Sequence, residues 1–354
     1  MTPRTLLFTL LASAIAAPAA AQEPWQPPLP PRPPAAVQKP PRPPQPPRSA
    51  KATDERAPFT ELERATKRLR LGRGGVVELA SLSGRVELAR GGGEEVVVEI
   101  TKRGFGDTRE EARRQLELVD VEIRERGNRA EIRTEFRPDR GARRVRASVD
   151  YRLTVPDDTL VRVRSLSGDI RAAGVRGDLS LESFSGSIAV RAAAGLLRAK
   201  TLSGSIDIEE ATVRAPFAAS SMSGDVTVRK LKAPSVEVGT VSGAVALVDT
   251  ECERARIQTL SGSVEFRGRL VDRGRYEFRS HSGDILLVPA GDRGFEIEAT
   301  TFSGDIHSDF DFAVETPKVS WPHGPRPRTL RGAYLGGGAV LEVTSFSGEI
   351  RIRK

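Results

Sequence analysis

One six-residue pattern recurs ten times in this chain: Ser or Thr, an apolar residue, Ser, Gly, any residue, then Ile or Val. The copies begin at Ser81, Ser165, Ser183, Thr201, Ser221, Thr240, Thr259, Ser280, Thr301 and Ser345, with His281 taking the apolar place once. From Gly168 to Gly304 successive motif glycines lie 18, 18, 20, 19, 19, 21 and 21 residues apart. A unit of about nineteen residues holds two or three short strands and no useful helix, and it buries its apolar face only by stacking on a copy of itself. Repetition at this period therefore restricts the fold class before any other feature is read.

Within a unit the apolar residues alternate up to the motif, as in Val161 and Val163, Leu179 and Leu181, or Val236 and Val238. A period of two marks a strand with one buried face. After Ser-Gly the alternation resumes out of phase, at Ile170, at Val226 and Val228, and at Ile285 and Leu287. Such a flip marks a corner, and glycine there allows a bend that a branched residue resists. The expected fold is all-β: a parallel β-solenoid of about ten to twelve rungs, ~50 Å long at ~4.8 Å per rung. Gly168, Gly186, Gly204, Gly224, Gly243, Gly262, Gly283, Gly304 and Gly348 are its structural corners. Two internal columns are expected: Leu166, Phe184, Leu202, Met222, Val241, Leu260, His281, Phe302 and Phe346 in one, Ile170 to Ile306 in the other.

Two stretches break the period. Gly84 to Gly168 holds a strand at Val96–Ile100, a short helix capped at Asp107 or Thr108, a hairpin across Gly127-Asn128 and a strand over Val145–Val155. It reads as a small antiparallel N-terminal cap with one short helix, closing the open end of the stack. Gly304 to Gly348 reads as a degenerate rung with a loop through Trp321, Pro322, Pro325 and Pro327. The organisation follows: 1–21 signal peptide, 22–58 Pro-rich tether, 59–160 β-rich capping region, 161–354 repeat solenoid. Arg4, the apolar run Leu6–Ala17 and Ala19-Ala20-Ala21 make the leader, with cleavage expected after Ala21. Residues 22–48 contain 13 prolines, which favour extended polyproline II.

Composition narrows function. The formal charge is +8, but residues 1–51 carry six bases and one acid, leaving 49 bases against 46 acids in the rest. A nearly balanced body with 5% aromatics does not suggest a nucleic-acid binder. One cysteine, Cys252, excludes an intrachain disulfide and any multi-cysteine metal site. No other stretch reaches the ~18 apolar residues of a spanning helix, so no transmembrane segment is expected in the mature chain.

The signal peptide, the passage YRLTVPDDTLVRVRSLSGDI at Tyr151–Ile170, the repeated SG-[DS]-[IV] rungs and the close from Gly336-Gly337-Gly338 to SFSGEIRIRK resemble a bacterial family labelled putative adhesin, or β-strand-repeat protein. The resemblance covers residues 59–354 and implies fold. It brings no catalytic residues.

The serines Ser167, Ser185, Ser203, Ser223, Ser242, Ser261, Ser282 and Ser303 read as a hydroxyl ladder satisfying backbone groups, since a nucleophile needs a positioned base. His281 reads as a buried neutral histidine and Cys252 as an unpaired thiol. The residue after each glycine faces outward. Asp284 and Asp305, expected one rung apart, and Glu349 are the candidate surface-binding residues, with Ca²⁺ as the cation to test. No cofactor and no metal centre is expected. The expected function is an exported, non-enzymatic, adhesin-like binding or scaffold module of the cell envelope, periplasmic or at the cell surface, with an envelope protein or glycan as partner. The alternatives are an envelope assembly partner acting by strand addition, or a polysaccharide-active β-helix enzyme.

Overall fold

The computed structural model describes residues 59–137, 145–314 and 327–354. The leader, the tether and the loop through Trp321, Pro322 and Pro325 lie outside the described residues.

The described residues are all-β, with one short helix, and their strands join into a single continuous sheet of mixed parallel and antiparallel pairs. The ten Ser-Gly motifs form a solenoid-like stack. In each rung one strand runs into the motif, the chain turns at Ser-Gly, and a second strand leaves it. Val76–Ser83 and Val86–Arg90 make the first rung. Leu160–Ser167 and Ile170–Ala173 lie directly against it, with Ser81 opposite Ser165 and Val86 opposite Ile170. The parallel register then holds without slipping at the motif, with Ser165 opposite Ser183, Ser183 opposite Thr201, and Thr201 opposite Ser221. Ile170, Ile188, Ile206, Val226, Val245, Val264, Ile285 and Ile350 stack as one buried column, none more than 1% exposed. Phe266, Tyr276 and Phe278 fill the widest part of the core. Tyr276 donates its hydroxyl to the Cys252 carbonyl at 2.6 Å and accepts from the Val271 amide at 2.9 Å, so its polar end is satisfied inside.

The excursion between the first two rungs returns to cover the open end of the stack. Arg129–Phe136 pairs parallel with the first rung and forms an antiparallel hairpin with Val119–Arg126. Ala147–Val155 pairs parallel with Val86–Arg90 and antiparallel with Val96–Gly106, which in turn holds Phe59–Leu69. The helix Arg109–Glu117 starts at Thr108, whose hydroxyl accepts the Glu111 amide at 3.2 Å.

At the other end the chain departs from its own order. The Thr301 rung is not stacked on the Ser280 rung. The last segment, Ala339–Ser347 with Ile350–Ile352, inserts between them, pairing Ser280 with Ser345 and Thr301 with Ser345. The break from Gly304 to Gly348 is thus not a degenerate rung within its described residues. It carries Arg328–Tyr334, which pairs antiparallel along Phe295–Ser303 and covers the outermost strand. Antiparallel strands close both ends, where sequence reading placed them at one; an uncovered parallel edge is a template for aggregation.

Candidate functional site

The corner explains which motif residues are structural and which remain free. The first motif residue is buried, and in eight of the ten copies, all but Ser81 and Ser165, its hydroxyl donates to the carbonyl of the neighbouring rung's glycine, as Thr201 to Gly186 at 3.0 Å, Ser221 to Gly204 at 3.0 Å, Thr240 to Gly224 at 3.1 Å and Thr301 to Gly348 at 3.1 Å. Glycine is required because rungs touch backbone to backbone. A methyl on Gly204 would lie 2.3 Å from the Gly186 oxygen, and its φ of +153° is a region that side-chain-bearing residues rarely enter. The residue after glycine also has a duty. Asp169 accepts the Ser187 amide at 3.1 Å, Asp225 the Ala244 amide at 2.8 Å and Asp284 the Glu349 amide at 2.9 Å. These carboxylates satisfy corner N–H groups of the adjoining rung.

Three expectations are corrected here. The hydroxyl ladder belongs to the first Ser or Thr of the motif. Ser167, Ser185, Ser203, Ser223, Ser242, Ser261, Ser282 and Ser303 are exposed. The apolar motif column is external, not internal: Leu166, Phe184, Met222, Val241, Leu260, Phe302 and Phe346 are 42–56% exposed, and Leu82 and Leu202 are half-buried. Strict alternation from Val161 through Val163 to Ser165 already turns Leu166 outward; its apolar character argued the opposite, and period is the physical constraint. His281, in the same column, is exposed rather than buried, and its ring stacks on Phe346 with centroids 4.9 Å apart. Phe302 continues the stack, 5.4 Å from Phe346.

The acidic residues are also placed differently. Because the last segment inserts, Glu349 lies between Asp284 and Asp305, which are two rungs apart. Asp305 pairs with Arg328, and Glu349 with Arg351 and, at 3.4 Å, with His307. The Arg351 hydrogen bond, opposed by desolvation and helped by the Arg351 charge, holds the Glu349 carboxyl below its ordinary range. Among the described residues no group of three or more His, Cys, Asp or Glu side chains is placed to hold a metal ion. Among them, too, no helix is long and apolar enough to cross a membrane.

What remains without structural duty is a ridge along the Ser-Gly corner. It is a ladder of exposed apolar side chains, one per rung, beside a ladder of exposed serine hydroxyls. Sequence reading missed it, although a position that accepts Leu, Phe, Met, Val and His was the available signal: a packed column seldom admits an imidazole.

A family model, Toastrack DUF4097, matches residues 96–320. The chain belongs to the Toastrack family. The matched span starts at the first strand of the capping excursion and takes in eight of the ten corners, Gly168 to Gly304, and with them the ridge from Leu166 to Phe302. Among curated proteins none matches. Similar solved structures include a putative adhesin from Bacteroides fragilis, 10% identical, covering 82% of this chain and 96% of that one at a TM-score of 0.41. Another is a putative adhesin from Parabacteroides merdae, 10% identical, covering 82% and 97% at 0.29. A third is a putative cell adhesion protein from Clostridium sporogenes, 9% identical, covering 84% and 99% at 0.24.

Proposed function

We propose that this Toastrack protein is an exported, non-enzymatic, adhesin-like binding module of the cell envelope, and that its working surface is the corner ridge. One observation carries the reading: seven large apolar side chains stand about half exposed in a single line across the stack. Monomeric proteins seldom leave a contiguous apolar patch beyond ~300–600 Å², and larger ones mark interaction sites. The serine ladder beside it supplies hydrogen-bonding groups to a partner. Among the described residues no hydrogen bond joins these serines to a base, as nucleophilic chemistry would ask. Export to the periplasm or cell surface rests on the leader read from residues 1–21. The Asp284, Glu349 and Asp305 column borders the ridge and is engaged in pairing, so it serves the corner rather than a cation.

Strand addition has one observation in its favour: Phe59–Leu69 pairs with Val96–Gly106 and with no other described strand. That strand carries Glu61, Glu63, Arg64, Lys67 and Arg68, and charged edges discourage added strands.

The test is adherence. Beads coated with the wild type and with a Leu166→Ser/Phe184→Ser/Met222→Ser variant are scored on the producing bacterium's envelope and on host glycans. The variant should keep its melting temperature and lose at least nine-tenths of adherence. Full adherence by the variant refutes the ridge as working surface.

A further inference from the structure

The ridge has a charge pattern that identifies a partner. On the side of the incoming strands, the outward residue just before each motif includes three bases, Arg164, Lys200 and Arg279, and one acid, Glu182. On the other side, the residue after each glycine includes five acids, among them Asp169, Asp225 and Asp284, and one base, Arg85. One flank is basic, the other acidic, and the apolar ladder runs between.

We infer that the ridge binds a second copy of this chain, side by side and parallel, about a two-fold axis along the stack. The inference rests on the reading of the ridge as the working surface and deepens it by naming the occupant. Area supports it. Seven side chains 42–56% exposed, at roughly 150–250 Å² for a large side chain, offer on the order of 700 Å² per copy. A standard interface buries ~800 Å² per partner.

Charge selects the axis. Rotation about an axis along the stack sets each rung opposite the same rung of the other copy and exchanges the flanks, so the basic side of one faces the acidic side of the other. Arg164 then meets the second copy's Asp169 at the second rung, Arg279 meets Asp284 at the eighth, and Lys200 at the fourth lies one rung, ~4.8 Å, from Asp225. Each pairing occurs twice, as an isologous contact requires. At no rung do like charges meet: the lone acid Glu182 faces Ser187, and Glu349 faces Thr344. Rotation about a perpendicular axis instead lays the acidic flanks together and places Asp169 against Glu349. Arg164 and Arg279 hold Glu182 and Glu277 within their own chain, at 3.4 and 2.6 Å, and a guanidinium has five donors to share.

The experiment is sedimentation equilibrium of the purified protein, with two charge-reversed variants. Wild type should dimerise, and more weakly as salt rises. Arg164→Asp/Arg279→Asp should weaken dimerisation at least tenfold, as should Asp169→Arg/Asp284→Arg. An equimolar mixture of the two should restore it as a heterodimer. Because Asp169 and Asp284 also accept corner amides, each variant's melting temperature is measured; if the second variant is destabilised, Phe184→Ser, which touches no corner amide, takes its place as the weakening variant. Cysteines report the direction: Leu166→Cys and Phe346→Cys should each cross-link to themselves. A wild type that stays monomeric at several hundred micromolar overturns the inference, and so does cross-linking of Leu166→Cys only to Phe346→Cys. If the protein is monomeric while the triple serine variant still loses adherence, the self-association falls and the ridge as a working surface stands.

Discussion

Gly204 and Gly174 both have positive φ, and only one should be irreplaceable. Gly204 sits at the Ser-Gly corner. A methyl there lies 2.3 Å from the Gly186 oxygen, where ordinary contact begins at 3.4 Å, so the rungs must part by 1.1 Å. That separation strains the Gly186 amide bond to the Ser203 carbonyl, the Ile188 amide bond to Ser205 and the Thr201 hydroxyl bond to Gly186, now 2.9, 2.9 and 3.0 Å. At about 0.5–1.5 kcal/mol for each of the three bonds and about 1–3 kcal/mol for the φ region, Gly204→Ala should cost about 2.5–7.5 kcal/mol. Gly174 lies at the second corner, at φ +69° with nothing nearer than the Arg90 Cβ at 3.6 Å. The following rungs place Ala192, Glu210, Lys230 and Asp249 at φ +52° to +59°, so Gly174→Ala should cost about 1 kcal/mol. Thermal melts followed by circular dichroism separate the two. At about 2–4 °C per kcal/mol for a protein near this size, the Gly204 variant should melt roughly 3–26 °C below the Gly174 variant. Equal melting temperatures would refute backbone contact between rungs as the reason for glycine.

Four further outcomes follow from the corner chemistry. Thr201→Val removes the hydroxyl that pairs the half-buried Gly186 carbonyl and should cost about 1–3 kcal/mol, while Ser203→Ala, on the exposed ladder, should stay within about 0.5 kcal/mol; denaturant titration measures both. His281→Leu should likewise be nearly neutral, whereas Ile285→Ala, in the buried column, should cost about 2–5 kcal/mol; a large gain from His281→Leu would mean that the column is internal after all. Glu349 has a depressed folded pKa, so the stability it draws from Arg351 is present above the unfolded carboxylate pKa of about 4.3 and lost as pH falls through the folded value. The melting-temperature difference between wild type and Arg351→Ala should accordingly shrink below about pH 4, and a difference that grows there would contradict the sign. Burial, with the Glu251 carboxylate adding to it, pushes the Cys252 thiol up to about 12, so a thiol reagent at pH 8 should label Cys252 only as the protein melts, as mass spectrometry will show.

How much was legible in the sequence depends on whether the signal was periodic. The buried Ile170 column, the corners and the strands that meet there follow from spacing, because a two-residue period and a nineteen-residue repeat are both geometric. The helix start at Thr108 was readable from its cap. The second corner was not: Ala192, Glu210, Lys230 and Asp249 share a left-handed backbone but no residue type, since that conformation costs an ordinary residue little where space is open. The insertion of the Ser345 rung beneath Thr301 was equally hidden, because every rung presents the same hydroxyl, glycine and Ile or Val to its neighbour, and identical surfaces do not record which copy they meet. The ridge was misplaced for a different reason. At Leu166 apolar character points inward and alternation points outward, and the two-residue period, being geometric, decides which way the side chain faces.

That disagreement locates function by elimination. Going around one corner, the Ser or Thr hydroxyl is committed to a glycine carbonyl, the glycine to rung contact, the following Asp to an amide, and the Ile or Val to the core. Changing any of these loosens the stack, so the uniformity of the hydroxyl, the glycine and the Ile or Val is explained by folding alone. Apart from Ser83, whose hydroxyl donates to the Ala147 carbonyl at 3.0 Å, the second and third motif positions carry no such duty. The third is serine in all ten copies although in nine of them it is exposed, and the second stays large and apolar in nine copies although folding leaves it half exposed or half-buried. Neither regularity is required by the stack, because an exposed position on a solenoid tolerates any soluble residue. Regularity without a structural cause is what a surface that must fit a partner along its length would show, and this is the support for proposing the ridge, rather than the acidic column beside it, as the working surface.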